Sequence, residues 1–442
     1  MPVPFFSGGR QLSIELAEPV VILRGHATDP TTAVVRGEVE LLLSKPILAS
    51  SVVVKLVGKS HMLWPEGLGP RNNKLYHEKT IHEQNIILQS FPEDSDRTLP
   101  AGLHRWPFEF LLPNRLVETI EDELAKVYYY VSSTVTRIGM GTVNLRCRRQ
   151  ILLLRALSWS DQALTSHSLS NPSILVERRF PQYDATIFIE KSMASSGTQF
   201  PITLILSPHR KHVHLESVSV LLTERRVYQL PEFDARRGEM HDYKLPLNSA
   251  QNMADTSISS FAPPNDIDSV NLRRALTTKN AHIPLTATPF QYRFVFTLPN
   301  CINLNHTTTY NEMHFSHFLK INIELTFPQE REQDQDNDNT TITVEDSSKG
   351  ILRTSVHLDT PITILDCRLK DDHATLPSYE AARHDSTVDS DDLDDPTKRP
   401  TGFFLCPCYL EYKKECKQLP RPEWMMVRQN ITTPPPPYSS KC

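Results

Sequence analysis

Apolar and polar residues alternate with a period of two along most of this chain. Val35, Gly37, Val39, Leu41 and Leu43 share one side of a segment whose other positions are polar or point outward. Leu319, Ile321, Ile323, Leu325 and Phe327 alternate in the same way with Lys320, Asn322, Glu324 and Thr326. Successive side chains of a strand point to opposite faces, so this pattern predicts antiparallel strands with one buried and one wet face. Long amphipathic helical stretches are lacking. Leu116 to Tyr130 (LVETIEDELAKVYYY) is the best short-helix candidate, with a loop as the alternative.

The chain also resembles itself. WPFEFLLPN, Trp106 to Asn114, aligns with YRFVFTLPN, Tyr292 to Asn300, and the strand from Ser51 to Leu56 aligns with that from Ser217 to Leu222. The offset grows from 166 residues (Ser51 to Ser217) to 186 (Phe108 to Phe294), as insertions into a second copy would make it. Two similar β-sandwiches in tandem are the expectation. They are divided within the Ser-rich stretch from Ser160 to Ser173. The boundaries follow as 10–162 for the first domain and 174–369 for the second. The second carries a polar insert at about 232–280 and an acidic loop at about 328–341. Residues 370–442 read as a disordered tail, because their composition is too polar and proline-rich to bury a core.

Composition narrows the function. The 442 residues carry a net charge of −5, which argues against a general nucleic-acid binder. Proline is abundant (34) and glycine scarce (14), which suits short strands and extended connections. No apolar run approaches the ~18 residues of a membrane span, and no signal peptide is visible. Seven cysteines, sparse and odd in number, fit a reducing compartment. The expectation is a cytoplasmic protein.

The tail holds the most specific chemistry. Pro435, Pro436, Pro437 and Tyr438 form a Pro-Pro-x-Tyr motif. Consecutive prolines pre-set the polyproline II helix, which WW domains grip in an aromatic groove while the tyrosine enters a neighbouring pocket. A proline-rich spacer is the bland alternative. Leu376, Pro377 and Tyr379 supply a Leu-Pro-x-Tyr variant, expected to bind more weakly because leucine does not impose φ; an ordinary turn is its alternative. Two such motifs on a flexible segment gain avidity if tandem WW domains take both.

These segments resemble the fungal α-arrestins. LSIELAEPVVILRGHATDPTTAVVRGEVELLLSKPILASSVVVKLVGKSHMLW follows the family's opening pattern, including Gly37, Pro46, Gly58 and Trp64. Further matches are LPAGLHRWPFEFLLPN, ERRFPQYDATIFIEKSMASSGTQFPITLIL and SVHLDTPITILDCRLKDDHATLPSYEAA, so the resemblance covers about residues 10 to 382. It implies an all-β fold: two tandem immunoglobulin-like, arrestin-like β-sandwiches followed by the tail. It implies an adaptor that brings a WW-domain, HECT-type ubiquitin ligase to the cytosolic tails of plasma-membrane transporters or receptors, promoting their ubiquitination and endocytosis, with recruitment to plasma membrane and endosomes. A signalling scaffold for a membrane pH or nutrient sensor is the alternative within the family, and a retromer-like sorting subunit the alternative outside it. The insert at 232–280 has no family counterpart, and the phosphate-sensing residues of visual and β-arrestins have no assignable positions here.

Charged clusters offer a contact surface. Arg210 and Lys211, among His209, His212 and His214, precede the SVSVLL strand, and Arg225 and Arg226 follow it. They are candidates for contact with acidic cargo tails or anionic lipid, against the plainer reading of solvated strand ends. Arg146, Arg148 and Arg149 form a smaller patch. His77-Glu78 and His82-Glu83 have HExxxH spacing, one residue too long for two histidines on one helical face, and are rejected as a zinc protease site. Cys406, Cys408 and Cys416 lack a fourth metal ligand; the flanking apolar residues and lysines suit lipidation or packing back onto a domain. No catalytic constellation, metal site or cofactor site is expected.

Overall fold

The computed structural model describes residues 10–67, 74–91, 97–139, 141–156, 173–253, 269–277, 280–285, 290–328 and 351–369. Both proline–tyrosine motifs, the linker at 157–172 and nearly all of the acidic loop lie outside the described residues. The chain divides into two compact units between Asp161 and Gln162. Both are all-β sandwiches.

Among its described residues the first unit has ten strands: β1 (Arg10–Leu16), β2 (Val20–Arg24), β3 (Thr32–Leu43), β4 (Ile47–Trp64), β5 (Leu75–Ser90), β6 (Thr98–Leu99), β7 (Gly102–Pro113), β8 (Ile120–Glu121), β9 (Ala125–Arg137) and β10 (Leu145–Ala156). One sheet runs β1-β3-β7 and the other β2-β10-β9-β4-β5, with β6 on β4 and β8 on β9. Alternation drives this layering. Along β9, Ala125, Val127, Tyr129, Val131, Ser133 and Val135 are buried while the residues alternating with them are half-exposed. Leu41 and Leu43 of β3 meet Ala49 and Val52 of β4 and Val135 of β9 in one cluster, so the two sheets share a core.

Two strand glycines are dictated by close approach. A Cβ at Gly37 would stand 2.4 Å from the carbonyl oxygen of Glu15 and 2.7 Å from the Phe108 ring. One at Gly58 would meet the Tyr129 ring at 2.4 Å. The helix candidate over Leu116 to Tyr130 is not a helix: Ile120–Glu121 pairs with Val127 and Lys126, Ala125 to Tyr130 belong to β9, and the residues between and before them are loop, the alternative reading. The inward row of β9 from Ala125 to Val131 buries apolar side chains at every second position, and tertiary burial outweighs the helical propensity of the preceding acidic residues.

The second unit contains β11 (Ile174–Arg179), β12 (Tyr183–Ile189), β13 (Met193–Ser195), β14 (Gln199–Pro208), β15 (His214–Leu230), β16 (Ala235–Lys244), β17 (Leu247–Asn252), helix α1 (Ser269–Thr277), β18 (Ile283–Pro284), β19 (Phe290–Thr297), β20 (Thr308–Tyr310), β21 (Met313–Pro328) and β22 (Ile351–Leu365). Its sheets run β11-β12-β14-β19-β17 and β13-β22-β21-β15-β16, with β18 on β15 and β20 on β21.

The internal repeat is a repeat of topology. The β1-β3-β7 sheet corresponds to β12-β14-β19, and β2-β10-β9-β4-β5 corresponds to β13-β22-β21-β15-β16. In each, the short strand at one edge is parallel to the last strand of its unit, which pairs antiparallel with its other neighbour. Phe108 and Phe294, aligned by sequence, lie on the equivalent strands β7 and β19 and are both buried.

The second copy adds β11, β17 and α1. Part of the segment read as a polar insert is therefore structural. β16 pairs with β15 from Leu221↔Lys244 to Leu230↔Ala235, β17 pairs with β19, and Leu272 and Leu276 of α1 are buried in the core. Edge strand β16 has no buried position, so its sequence carries no apolar stripe to announce it. Among the described residues, no helix is long and apolar enough to cross a membrane.

Candidate functional site

The basic residues singled out by sequence do not form one surface. Arg210 and Lys211 occupy the turn between β14 and β15, Lys211 exposed and Arg210 half-buried. Beside them His212 adopts a left-handed φ of 63° and His209 pairs with Asp184 at 3.2 Å. Arg225 is exposed near the other end of β15, opposite Met240 and Ser316. The stretch of β15 from His214 to Arg225 spans roughly 36 Å at the rise of an extended strand.

Arg226 leaves the contact surface altogether. Consecutive strand residues face opposite ways, so Arg226 points inward where Arg225 points out. It is 8% exposed, and one guanidinium nitrogen donates to Glu224 Oε2 at 2.7 Å and to the Asn303 carbonyl at 3.0 Å. The sequence expectation of an external contact at Arg226 is thus corrected by its register.

Around it lies a buried polar cluster that the sequence reading missed. Glu224, fully buried, accepts from the Asn305 amide at 3.0 Å, from Arg226, and from the Tyr243 hydroxyl at 3.1 Å. His317 lies across from it on β21, its Nε2 3.6 Å from Glu224 Oε1. The Thr307 hydroxyl oxygen accepts from the Ile364 amide at 2.9 Å, so its O–H is available to His317 Nδ1 at 2.9 Å. Burial alone would raise the pKa of Glu224, but His317 and the hydrogen bond and charge of Arg226 outweigh it and hold the carboxyl at about 2. Burial also pushes His317 below its usual value, despite Glu224. Tyr243 is pushed up to about 12 by burial and the adjacent Glu224 charge. A paired ion and a neutral imidazole result, an arrangement that ties β15, β16 and β21 to the segment 303–307. The signal was present in the sequence: Glu224 and Arg226 share strand parity, and His317 occupies the inward row of Leu319 and Ile321.

The first unit has its own buried ion pair. Arg155 reaches Glu118 at 3.2 Å and donates to the carbonyls of Gly25, Asn114 and Leu116 at 3.1, 2.7 and 2.5 Å. Asn114 donates to the carbonyls of Arg24 and His26 at 2.9 and 2.6 Å. This cluster closes the loops at the end of β2 and β7. The smaller arginine patch is likewise divided. Arg148 lies 3.4 Å over the centre of the Tyr130 ring, Arg149 is half-buried, and Arg146 is exposed. His77, Glu78, His82 and Glu83 lie on strand β5, not on a helix. No group of three or more metal-binding side chains comes together among the described residues.

Residues 21–159 match the family described as arrestin (or S-antigen), N-terminal domain. The chain is similar to a Schizosaccharomyces pombe protein named as a putative arrestin-related trafficking adapter, 23% identical over 415 residues, which are 85% of this chain and 57% of the relative. An arrestin domain-containing protein of the same organism is 27% identical over 46% of this chain and 34% of its own length. A protein of Aspergillus clavatus named as a probable HECT-type ubiquitin ligase-interacting protein, creD, is 28% identical over 51% of this chain and 38% of its own length. The matched regions thus span from about a third to a little over half of these relatives.

Proposed function

We propose that this chain is an α-arrestin of the fungal kind, an adaptor joining a WW-domain, HECT-type ubiquitin ligase to plasma-membrane transporters or receptors. The observation that carries the proposal is the Pro435-Pro436-Pro437-Tyr438 motif on the same chain as an arrestin N-terminal domain. The name of the creD relatives, ligase-interacting proteins, supports the ligase side.

The mechanism is proximity. The tail holds the ligase and the sandwiches hold cargo, so cargo lysines experience a high local concentration of the ligase's catalytic domain. Leu376, Pro377 and Tyr379 act as a second, weaker handle. Arg210 and Lys211, in the turn before β15, and Arg225, on β15 itself, are the cargo contacts in this reading, and Arg226 is not among them. The adaptor works in the cytoplasm and is recruited to plasma membrane and endosomes.

Proximity labelling from this chain, combined with surface-protein abundance after a nutrient shift, tests the cargo side. Transporters or receptors that are labelled and persist at the surface when the chain is deleted support the proposal. Labelling confined to one dedicated sensor, with no change in surface abundance, contradicts it.

A further inference from the structure

One end of the first unit collects exposed apolar side chains. Leu42 at the end of β3 stands opposite Leu103 at the start of β7, and they are 51% and 53% exposed. The β3–β4 turn leads directly to Leu48, 50% exposed, whose carbonyl accepts from the Ile138 amide at 3.0 Å. Ile138 opens the β9–β10 hairpin, which turns through Gly139 and Gly141 at φ 133° and 77° and presents Val143 at 78% exposure. The Val143 carbonyl accepts from the Arg137 guanidinium at 3.2 Å.

Cations rim the same end. Lys45, in the β3–β4 turn, and Arg146, one residue into β10, are exposed and carry no acidic partner among the described residues. Arg137, the last residue of β9, stands opposite Ala49 at the same end. The acidic side chain near Leu42, Glu40, is paired with Arg105 at 2.8 Å. Glu93, Asp94 and Asp96 follow β5 and lie outside the described residues.

Exposed apolar clusters mark interaction surfaces, and apolar tips ringed by cations match the two layers of an anionic bilayer surface. The four side chains sit around strand ends, not along a groove, which suits a soft planar partner better than a peptide. We propose that this end of the first unit, through Leu42, Leu48, Leu103 and Val143 with Lys45 and Arg146, is a peripheral contact for an anionic lipid surface. It lies on a different unit from the basic residues of β15 and does not depend on the ligase reading.

The test is sedimentation of the full chain with phosphatidylcholine vesicles with and without phosphatidylserine. The wild type is expected to bind the anionic vesicles. Leu48→Asp with Val143→Asp, and separately Lys45→Glu with Arg146→Glu, should each weaken that binding by about ten-fold or more. Because all four positions are exposed, thermal unfolding should stay unchanged. Val143→Trp adds an independent readout: its indole should be quenched by brominated lipid. Absence of wild-type binding overturns the proposal. So does binding that survives both variant pairs, binding that is lost only when the tail is removed, or an unquenched Trp in the Val143→Trp variant.

Discussion

Glu224 of β15 and His317 of β21 face each other across the inner side of the second unit's seven-stranded sheet, both fully buried, with Oε1 and Nε2 3.6 Å apart. The carboxylate is ionised at a pKa of about 2 and the imidazole is held neutral. Both groups therefore bind fewer protons folded than unfolded. The sign for each is the same: its stabilisation is present above the unfolded pKa and is lost as pH falls through the folded one. For Glu224 the drop from 4.5 to about 2 corresponds to roughly 3 kcal/mol, lost between about pH 4.5 and 2. For His317 the loss begins below about pH 6.5. Urea unfolding of the second unit's signal across this range should show the decline, and Glu224→Gln should flatten its lower part. An unchanged pH slope in Glu224→Gln would refute the assignment.

Tyr243 bridges Glu224 and the Asn303 carbonyl, at 3.1 and 2.5 Å. Tyr243→Phe should cost about 1–2 kcal/mol, because the one phenolic proton shared between the Asn303 carbonyl and Glu224 is lost. Amide exchange should quicken in residues 303–307. In the wild type the phenol should titrate near 12 by ultraviolet absorbance, and a value near 10 would contradict the burial described.

Arg155→Lys in the first unit should be costly although charge is retained. A lysine cannot reach Glu118 and three separate carbonyls with one ammonium. A loss of about 2–4 kcal/mol in chemical unfolding is expected, with Asn114→Ala giving a smaller loss at the same loops. A change below about 0.5 kcal/mol for Arg155→Lys would show that the cluster contributes little.

Gly37→Ala and Gly58→Ala should each destabilise by about 1–3 kcal/mol, since the added carbon meets backbone at Gly37 and a buried ring at Gly58. Pairing Gly58→Ala with Tyr129→Phe should recover little, because the ring itself, not its hydroxyl, is in the way. Thermal unfolding of the single and double variants checks this.

Much of this architecture was legible in the sequence because burial imposes a period of two. The strand that carries Val39, the strand that carries Ile321 and Ile323, the repeat of Phe108 and Phe294, and the strand glycines Gly37 and Gly58 all rest on that rule or on close packing. Where burial is not apolar, the rule fails. β16 borders a polar face and reads as an insert. The stretch before Tyr128 carries Glu118 and Asp122, buried polar residues that mimic a helix's wet face. Arg225 and Arg226 look like one patch until register separates them. Long-range partners such as Arg155 with Glu118 follow from topology and leave no local trace.

In the proposed function the tail recruits a WW-domain ligase. Calorimetric titration of the full chain with the tandem WW domains of a HECT-type ligase tests it most directly, using wild type, Tyr438→Ala, and Tyr438→Ala combined with Tyr379→Ala. The account predicts saturable binding by the wild type, a loss of about ten-fold or more for Tyr438→Ala, and none detectable for the double variant. Equal binding by all three would contradict it.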